Sequence, residues 1–186
     1  RYKNAKIMPA TNKLCEAELQ LADFEQRNHQ LRKAVLQIKN DYDIIIIDCL
    51  PSLGVLAVNA MVAVDRIIVP MVCEPFALEG LAQLMQTVKK VKRAANKELQ
   101  IMGIVFTMLD KRLLASNEIM RDIKRNFDPN MIFNTEIPRN VRITEAQSHG
   151  EPILYYDKNS KGGDAYKRLS KEILEKCREM EKNNGE

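Results

Sequence analysis

Four isoleucines in a row, Ile44 to Ile47, stand between Asp43 and Asp48 and break an otherwise mixed pattern of apolar and polar positions. Such a run puts apolar side chains on both faces of a strand, which suits a central parallel strand covered by helices. On either side the period changes repeatedly. Phe24, Leu31, Val35 and Ile38 keep helical spacing, predicting a helix that opens at Asp23-Phe24-Glu25-Gln26 and ends near Asn40. Leu53 to Val64 reads as a helix after a Pro51-Ser52 turn, and Arg66 to Pro70 as the next strand. Phe76 to Ala95 then carries Leu78, Leu81, Leu84, Met85 and Val88 on one side of a helix. Leu99 to Met108 predicts a strand, Asn117 to Asn126 a helix, and Met131 to Phe133 a short strand. Val141 to Ser148 predicts a short helix closed by Gly150 and Pro152. From Asp164 a last helix lines up Tyr166, Leu169, Ile173, Leu174, Cys177 and Met180, and the polar tail from Glu181 is expected to fray.

Strands alternating with helices of this length predict a doubly wound α/β fold, a mostly parallel sheet with helices on both faces. With 186 residues, no internal repeat and no linker, residues 1–186 are expected to form a single domain. No apolar run approaches the roughly 20 residues of a membrane span. Cys15, Cys49, Cys73 and Cys177 are scattered, without a CxxC or a neighbouring His in metal-ligand spacing, and read as reduced thiols of a cytoplasmic protein. The net charge of +4 is uneven. Between Lys89 and Arg125 ten Lys and Arg face four acids, Glu98, Asp110, Glu118 and Asp122. That excess suits either a polyanion or a set of solvated helix faces.

The sharpest chemical feature is Asp48. A carboxylate at the carboxyl end of a buried parallel strand lies on the edge where α/β proteins bind ligands, although strand-end acids also serve simply to cap the following turn. The chain beyond Ile47 carries a more specific pattern, made of seven segments. Asp48-Cys49-Leu50-Pro51-Ser52-Leu53-Gly54, Asn59 to Asp65 and Cys73-Glu74-Pro75-Phe76-Ala77-Leu78-Glu79-Gly80-Leu81 are the first three. Thr107-Met108-Leu109-Asp110, Ile137-Pro138-Arg139-Asn140-Val141-Arg142, Glu145 to Gly150 and Tyr156 to Tyr166 are the other four. In order and spacing these resemble the DCPPSLG, NALVAAD, CEYFALEGL, TMFD, IPRNVR, EAPSHG and YDPKSKGAEAY segments of the ParA/Soj family of chromosome and plasmid partitioning ATPases, a deviant P-loop class. The resemblance runs from about Ile7 to Lys176.

The resemblance implies a P-loop NTPase-like domain that binds ATP with Mg²⁺, dimerises, holds DNA without sequence preference, and is stimulated by a ParB-type partner at the nucleoid. It makes Asp48 the acid that serves both metal and catalysis. Pro51 and Gly54 fall in the segment that senses the γ-phosphate, with Gly54 expected to give backbone freedom. Leu50 departs from the family's proline. Thr107, Met108, Pro138 and Asn140 fall at the adenine-binding edge, while Arg112 and Arg142 fall where the family meets DNA. Lys124, Arg125, Lys167 and Arg168 are weaker DNA candidates, and Glu74 and Glu79 are expected to flank a helix start at Pro75. The family opens with a strand and a KGGVGKT loop whose N–H groups cradle phosphate. No GxxxxGK[ST] occurs in these residues, and Lys161-Gly162-Gly163 runs into Asp164-Ala165-Tyr166 instead. The first strand and phosphate loop are thus expected to be missing, and the uncovered sheet to favour a homodimer.

Two rivals remain. A MinD-like membrane-cycling ATPase shares the fold but ends in an amphipathic helix, whereas Cys177 to Glu186 offers only Met180 as a large apolar residue. A non-catalytic binding or dimerisation fragment is the other.

A polypeptide of these 186 residues is expected to hydrolyse ATP no faster than background, because phosphoryl transfer depends on positioned phosphate contacts. Steady-state phosphate release checks this. Sustained turnover abolished by Asp48→Ala would contradict it.

Overall fold

The computed structural model describes residues 4–21 and 24–184. It divides into two compact units, Arg1–Asp65 with Gln86–Leu99, and Arg66–Met85 with Gln100–Glu186.

The first unit contains α1 (Lys13–Leu21), α2 (Gln30–Ile38), α3 (Val55–Ala63) and the second half of α4 (Ala77–Ala94). Single 3-10 turns at Arg27–His29 and Lys39–Asp41 flank α2. Helix α3 is apolar almost all round, and Ala57, Ala60, Met61 and Val62 are buried. Two buried asparagines tie this unit together. Asn59 donates through Nδ2 to the carbonyls of Arg27 (2.9 Å) and Val55 (3.0 Å) and accepts from Leu31 N (3.2 Å), so α2 is stitched to α3. Asn96 Nδ2 lies 2.7 Å from the Val64 carbonyl oxygen and 3.0 Å from that of Met61, at the end of α3 where carbonyls lack helical partners.

Several expectations change here. Ile44 to Ile47 form no strand: among the described residues no strand pairs with them, and a ladder needs a partner for its N–H and C=O groups. Their exposure alternates, with Ile46 87% exposed and Ile45 and Ile47 half-buried, so only one face is covered. The helix predicted from Asp23 begins in earnest at Gln30. Asp23 lies outside the described residues, Gln26 has a positive φ of 58°, and Phe24 is exposed. Leu31, Val35 and Ile38 do turn one face inward. Helix α1 was not expected, and α3 starts at Val55 rather than Leu53.

The second unit is built on two parallel strands, β1 (Arg66–Val72) and β2 (Gln100–Thr107), joined through α4. Between Ile67 and Ile68 the register slips, pairing Ile67 with Ile101 and Ile68 with Gly103, so Met102 is an extra residue in β2. One inserted residue reverses which side chains face which way. Ile101, Ile104 and Phe106 accordingly join one apolar cluster with Val69, Met71 and the inner faces of α4 and α5 (Leu114–Asn126). Met102 and Val105 join another with Phe133, Ile137 and the inner face of α8 (Lys161–Asn184). Gly103 lies in the bulge because a Cβ there would stand 2.9 Å from the Phe133 ring. Pro70, which has no N–H to give, occupies β1, paired on only one side among the described residues. Ser116 Oγ donates to the Cys73 carbonyl at 3.0 Å and anchors α5 to the end of β1. The architecture is a small parallel sheet flanked by helices.

Met131 to Phe133 do not form the predicted strand. A 3-10 turn at Pro129–Met131 leads into a single bridge from Ile132 to Ile104. Phe133 N and Ile137 N donate to β2 at Ile104 and Phe106, both at 2.9 Å. Between them, however, Asn134 N and Thr135 N donate to the Glu172 carboxylate of α8 at 2.6 and 2.9 Å, which diverts the ladder. Helix α6 spans Val141–Ser148 as predicted, and a single turn, α7 (Ile153–Tyr156), comes after it. Pro75 does not open α4, which begins at Ala77, two residues after the expected start. Phe76 intervenes with a left-handed backbone (φ 69°) that no helix continues. On α8 the inward stripe is Gly162, Ala165, Leu169, Ile173, Cys177 and Met180; Tyr166 and Leu174 are exposed, a rotation of the predicted face.

Lys161-Gly162-Gly163 opens α8, and its glycines are there for space. A Cβ on Gly163 would stand 2.7 Å from the Asp157 carbonyl oxygen and 3.1 Å from that of Lys158. Gly80, in α4, would meet nothing within 4 Å. Gly163→Ala is therefore expected to lower stability by about 1–3 kcal/mol. Gly80→Ala is expected to raise it by about 0.5–1 kcal/mol through helix propensity. Urea unfolding of the two variants measures both signs.

Candidate functional site

The carboxyl end of β2 gathers four of the residues singled out from the sequence, Thr107, Met108, Pro138 and Asn140. Thr107 closes the strand, and Met108 comes next with a positive φ of 49° and 49% exposure. A left-handed backbone at a residue other than glycine costs of order 1 kcal/mol and persists where its surroundings enforce it. Here they do. Leu109, buried, donates through N to the Ile137 carbonyl (3.0 Å) and accepts from Arg139 N (3.1 Å). The kink turns Leu109 into the core and leaves Met108 outside. The bridge between Leu109 and Pro138 brings Pro138 alongside. Asn140 caps α6, its Oδ1 accepting from Arg142 N at 2.9 Å, which leaves both amide hydrogens for other use. Phe76 is the second strained, exposed residue beyond a strand end, 82% exposed, and sequence reasoning treated it only as a helix start. Left-handed residues beyond both parallel strands mark this edge as the place to look for a ligand.

The basic residues are less available than the sequence suggested. Arg112 is forked onto Asp110, with Nε to Oδ1 at 2.9 Å and Nη2 to Oδ2 at 2.6 Å, and its backbone N donates to the same Oδ1 at 3.1 Å. These hydrogen bonds hold the Asp110 carboxyl down at about 2 and push the guanidinium further up. Arg142 contacts Glu145 through Nη1 (2.7 Å) and Asp157 through Nε (3.4 Å). The hydrogen bond from Arg142 is the main reason Glu145 lies below the usual carboxylate range. Lys124 and Lys111 share Glu136, and Arg168 pairs with Asp164 at 3.1 Å. Burial alone would raise Glu136, but the two lysines outweigh it and leave the carboxyl lowered. Glu79 lies in the first turn of α4 as expected, whereas Glu74 lies 3.9 Å from Arg139. The pairing acids were not foreseen from the sequence. Only Arg142 with Glu145, three apart on α6, and Arg168 with Asp164, four apart on α8, had a legible spacing.

Asp48, Pro51 and Gly54 belong to the first unit. Asp48 is exposed and lies outside any helix or strand, and Pro51 lies in the turn closed by Ser52 N donating to Leu50 O at 2.7 Å. Gly54 does not supply the expected freedom: φ −72° and ψ −172° are open to any residue. Its missing side chain makes room instead, because a Cβ would stand 2.6 Å from Glu18 Oε1. That carboxylate lies 3.5 Å from Leu56 N in the first turn of α3, where a helix favours negative charge. Among the described residues no group of three or more His, Cys, Asp or Glu stands ready to hold a metal. A lone carboxylate is still what Mg²⁺ asks of a protein when phosphates and water supply its other ligands.

A small parallel sheet flanked by helices, with strained residues beyond its carboxyl ends, defines an α/β class, and comparison with known proteins narrows it. A family model described as an AAA domain matches residues 1–101. The sporulation initiation inhibitor protein Soj of Bacillus subtilis (strain 168) is 43% identical over 171 residues, covering 92% of this chain and 67% of that protein. The chromosome partitioning protein ParA of Caulobacter vibrioides (strain NA1000 / CB15N) is 41% identical over 177 residues, covering 94% and 66%. Among solved structures, cobyrinic acid a,c-diamide synthase from Mycobacterium smegmatis, with bound ATP analogue and magnesium, superposes with a TM-score of 0.73. It is 30% identical, with 89% of this chain and 60% of that one covered. The chain belongs to the ParA/Soj family of P-loop ATPase homologues. It spans about two thirds of the length of the relatives it matches.

The Asp110–Arg112 fork makes a pH prediction with a definite sign. A carboxyl held at about 2 in the folded chain contributes stability above its ordinary value near 3.9, and loses it as pH falls through about 2. Carboxyl-detected NMR titration should give Asp110 a midpoint near 2, returning to the ordinary carboxylate range in Arg112→Ala. An ordinary midpoint in the unsubstituted chain would rule the fork out in solution.

Proposed function

We propose that the intact protein is a cytoplasmic, nucleoid-associated partitioning ATPase with a doubly wound, single-domain fold. It binds MgATP, dimerises, holds DNA without sequence preference and releases it after hydrolysis stimulated by a ParB-type partner. The observation that carries this reading is 43% identity over 171 residues to a Soj protein, to which the motif segments from Asp48 to Tyr166 add their resemblance to the same family. The partly exposed edge at Thr107, Met108, Pro138 and Asn140 supports base binding, with Met108 supplying an apolar contact and Asn140 amide donors. Asp48 is the residue we assign to the metal and to catalysis, and Pro51 and Gly54 to the segment that responds to the γ-phosphate. The bound metal supplies charge neutralisation on the phosphates. Arg112 and Arg142 supply the DNA contacts. A partitioning role is favoured over membrane cycling because the apolar stripe of α8 packs on Met102 and Val105 and is not left for lipid. Among the described residues no helix is long and apolar enough to cross a membrane.

Binding of the intact protein to random-sequence duplexes, with and without ATP, tests this. DNA affinity should require ATP and fall with salt by a log–log slope of about −0.9 per phosphate neutralised. Arg112→Glu or Arg142→Glu should weaken binding to all sequences alike while nucleotide affinity is kept. Unchanged DNA affinity in both would refute the assignment.

A further inference from the structure

The two arginines assigned to DNA are held in different ways. Arg112 meets one carboxylate through Nε and Nη2, so its Nη1 side stays open, and its side chain is 88% exposed. Arg142 is held at both ends of the guanidinium, Nη1 on Glu145 and Nε on Asp157. Both acids are themselves fixed. Tyr156 donates its hydroxyl to Glu145 Oε2 at 3.4 Å, and its ring stacks on His149 with centroids 5.3 Å apart. Asp157 Oδ1 accepts from Asn159 N at 3.3 Å in the turn that opens α8. A phosphate seeking the bidentate grip that a guanidinium offers must therefore displace a carboxylate from Arg142, while Arg112 still has an edge to give.

We propose that Glu145 and Asp157 are positioning residues that mask Arg142, so that Arg142 reaches a DNA phosphate only on leaving them. The two acids then set how tightly, and at what salt, the protein holds DNA, with Arg112 making the first contact. This rests on the reading that Arg112 and Arg142 are DNA contacts, and the chemistry invoked is competition between carboxylate and phosphate for one guanidinium. Exposed ion pairs have modest strength, so each acid should restrain DNA affinity by about two- to fivefold.

The test uses the intact protein with ATP and a random-sequence duplex, followed by fluorescence anisotropy across a salt series. Glu145→Gln and Asp157→Asn should each tighten binding about two- to fivefold and steepen the log–log salt slope, by about 0.9 once Arg142 is fully released. Both gains should disappear when Arg142→Gln is added to either variant. Glu118→Gln, an exposed acid on α5, is the control for net charge and should change neither quantity as much. Gains that survive Arg142→Gln, or that Glu118→Gln matches, would reduce the effect to net charge and overturn the mask. No gain in either acid variant, while Arg112→Gln still weakens binding, would overturn the mask and keep the DNA reading. If neither Arg112→Gln nor Arg142→Gln, the latter alone or with the acid variants, weakens binding, the DNA reading falls and takes the mask with it.

Discussion

Two parallel strands cannot be joined by a tight turn, and they hold together only when both their faces are covered. In the second unit that requirement falls on β2. Its hydrogen bonds run to β1 on one side and to Phe133 and Ile137 on the other, while its side chains feed two apolar clusters. The extra residue at Met102 is what lets a short strand meet both demands. By reversing the alternation midway, it delivers Ile104 and Phe106 to the α4–α5 side, with Met102 and Val105 opposite. Gly103 completes the arrangement by leaving space for the Phe133 ring. Everything at the carboxyl edge is suspended from this strand: the left-handed turn at Met108, the bridge to Pro138, and the cap on α6 that Asn140 provides.

That edge carries charge in matched sets. Lys111 and Lys124 converge on Glu136, Arg112 on Asp110, and Arg142 on Glu145 and Asp157. Pairs at such exposure add little to folding, since water competes for both partners and side-chain entropy opposes the geometry. Their consequence lies in what the cations offer a ligand. A cation counted from the sequence as one unit of attraction is, when paired, closer to a dipole whose acid must be displaced. A count of cations therefore overstates the attraction this surface has for a polyanion, and the arrangement of acids decides which cation engages first.

Where the period was long and regular, the sequence was readable. Helices α4, α6 and α8 and strands β1 and β2 lie within a few residues of expectation, because each turns an apolar face inward. The failures share a physical cause. Ile44 to Ile47 has the composition of a central strand, but strand formation depends on a neighbour that composition does not specify. Met131 to Phe133 lost its ladder to a carboxylate from α8, some forty residues on in sequence, a competition that local propensity cannot register. Tyr166 and Leu174 were assigned inward by their apolar character, yet the glycines before them decide which face of α8 can approach. For the candidate site, residue types at Thr107, Met108, Pro138 and Asn140 were legible and their convergence is borne by one bridge. The acids that restrain Arg112 and Arg142 were not, since Asp110 and Asp157 reach them through loop geometry.

Segments that match a family are commonly read as functional throughout, and this chain separates the two kinds of residue within them. Asn59 lies in one matched segment and is buried, spending its amide on Arg27, Val55 and Leu31. Gly162 and Gly163 lie in another and exist to let α8 approach Ile143 and the Asp157 backbone. These positions are explained completely by packing and hydrogen bonding. Phe76 and Met108, in two further segments, are the reverse: both expose large apolar side chains on left-handed backbone, and the kink at Met108 that turns Leu109 into the core does so by leaving the Met108 side chain outside. Strain and exposure together are a reason to test such residues as contacts to a ligand or partner. On that criterion the strand ends at Phe76 and Met108 have a stronger claim to a ligand or partner than any buried motif residue, whatever the lettering of the match.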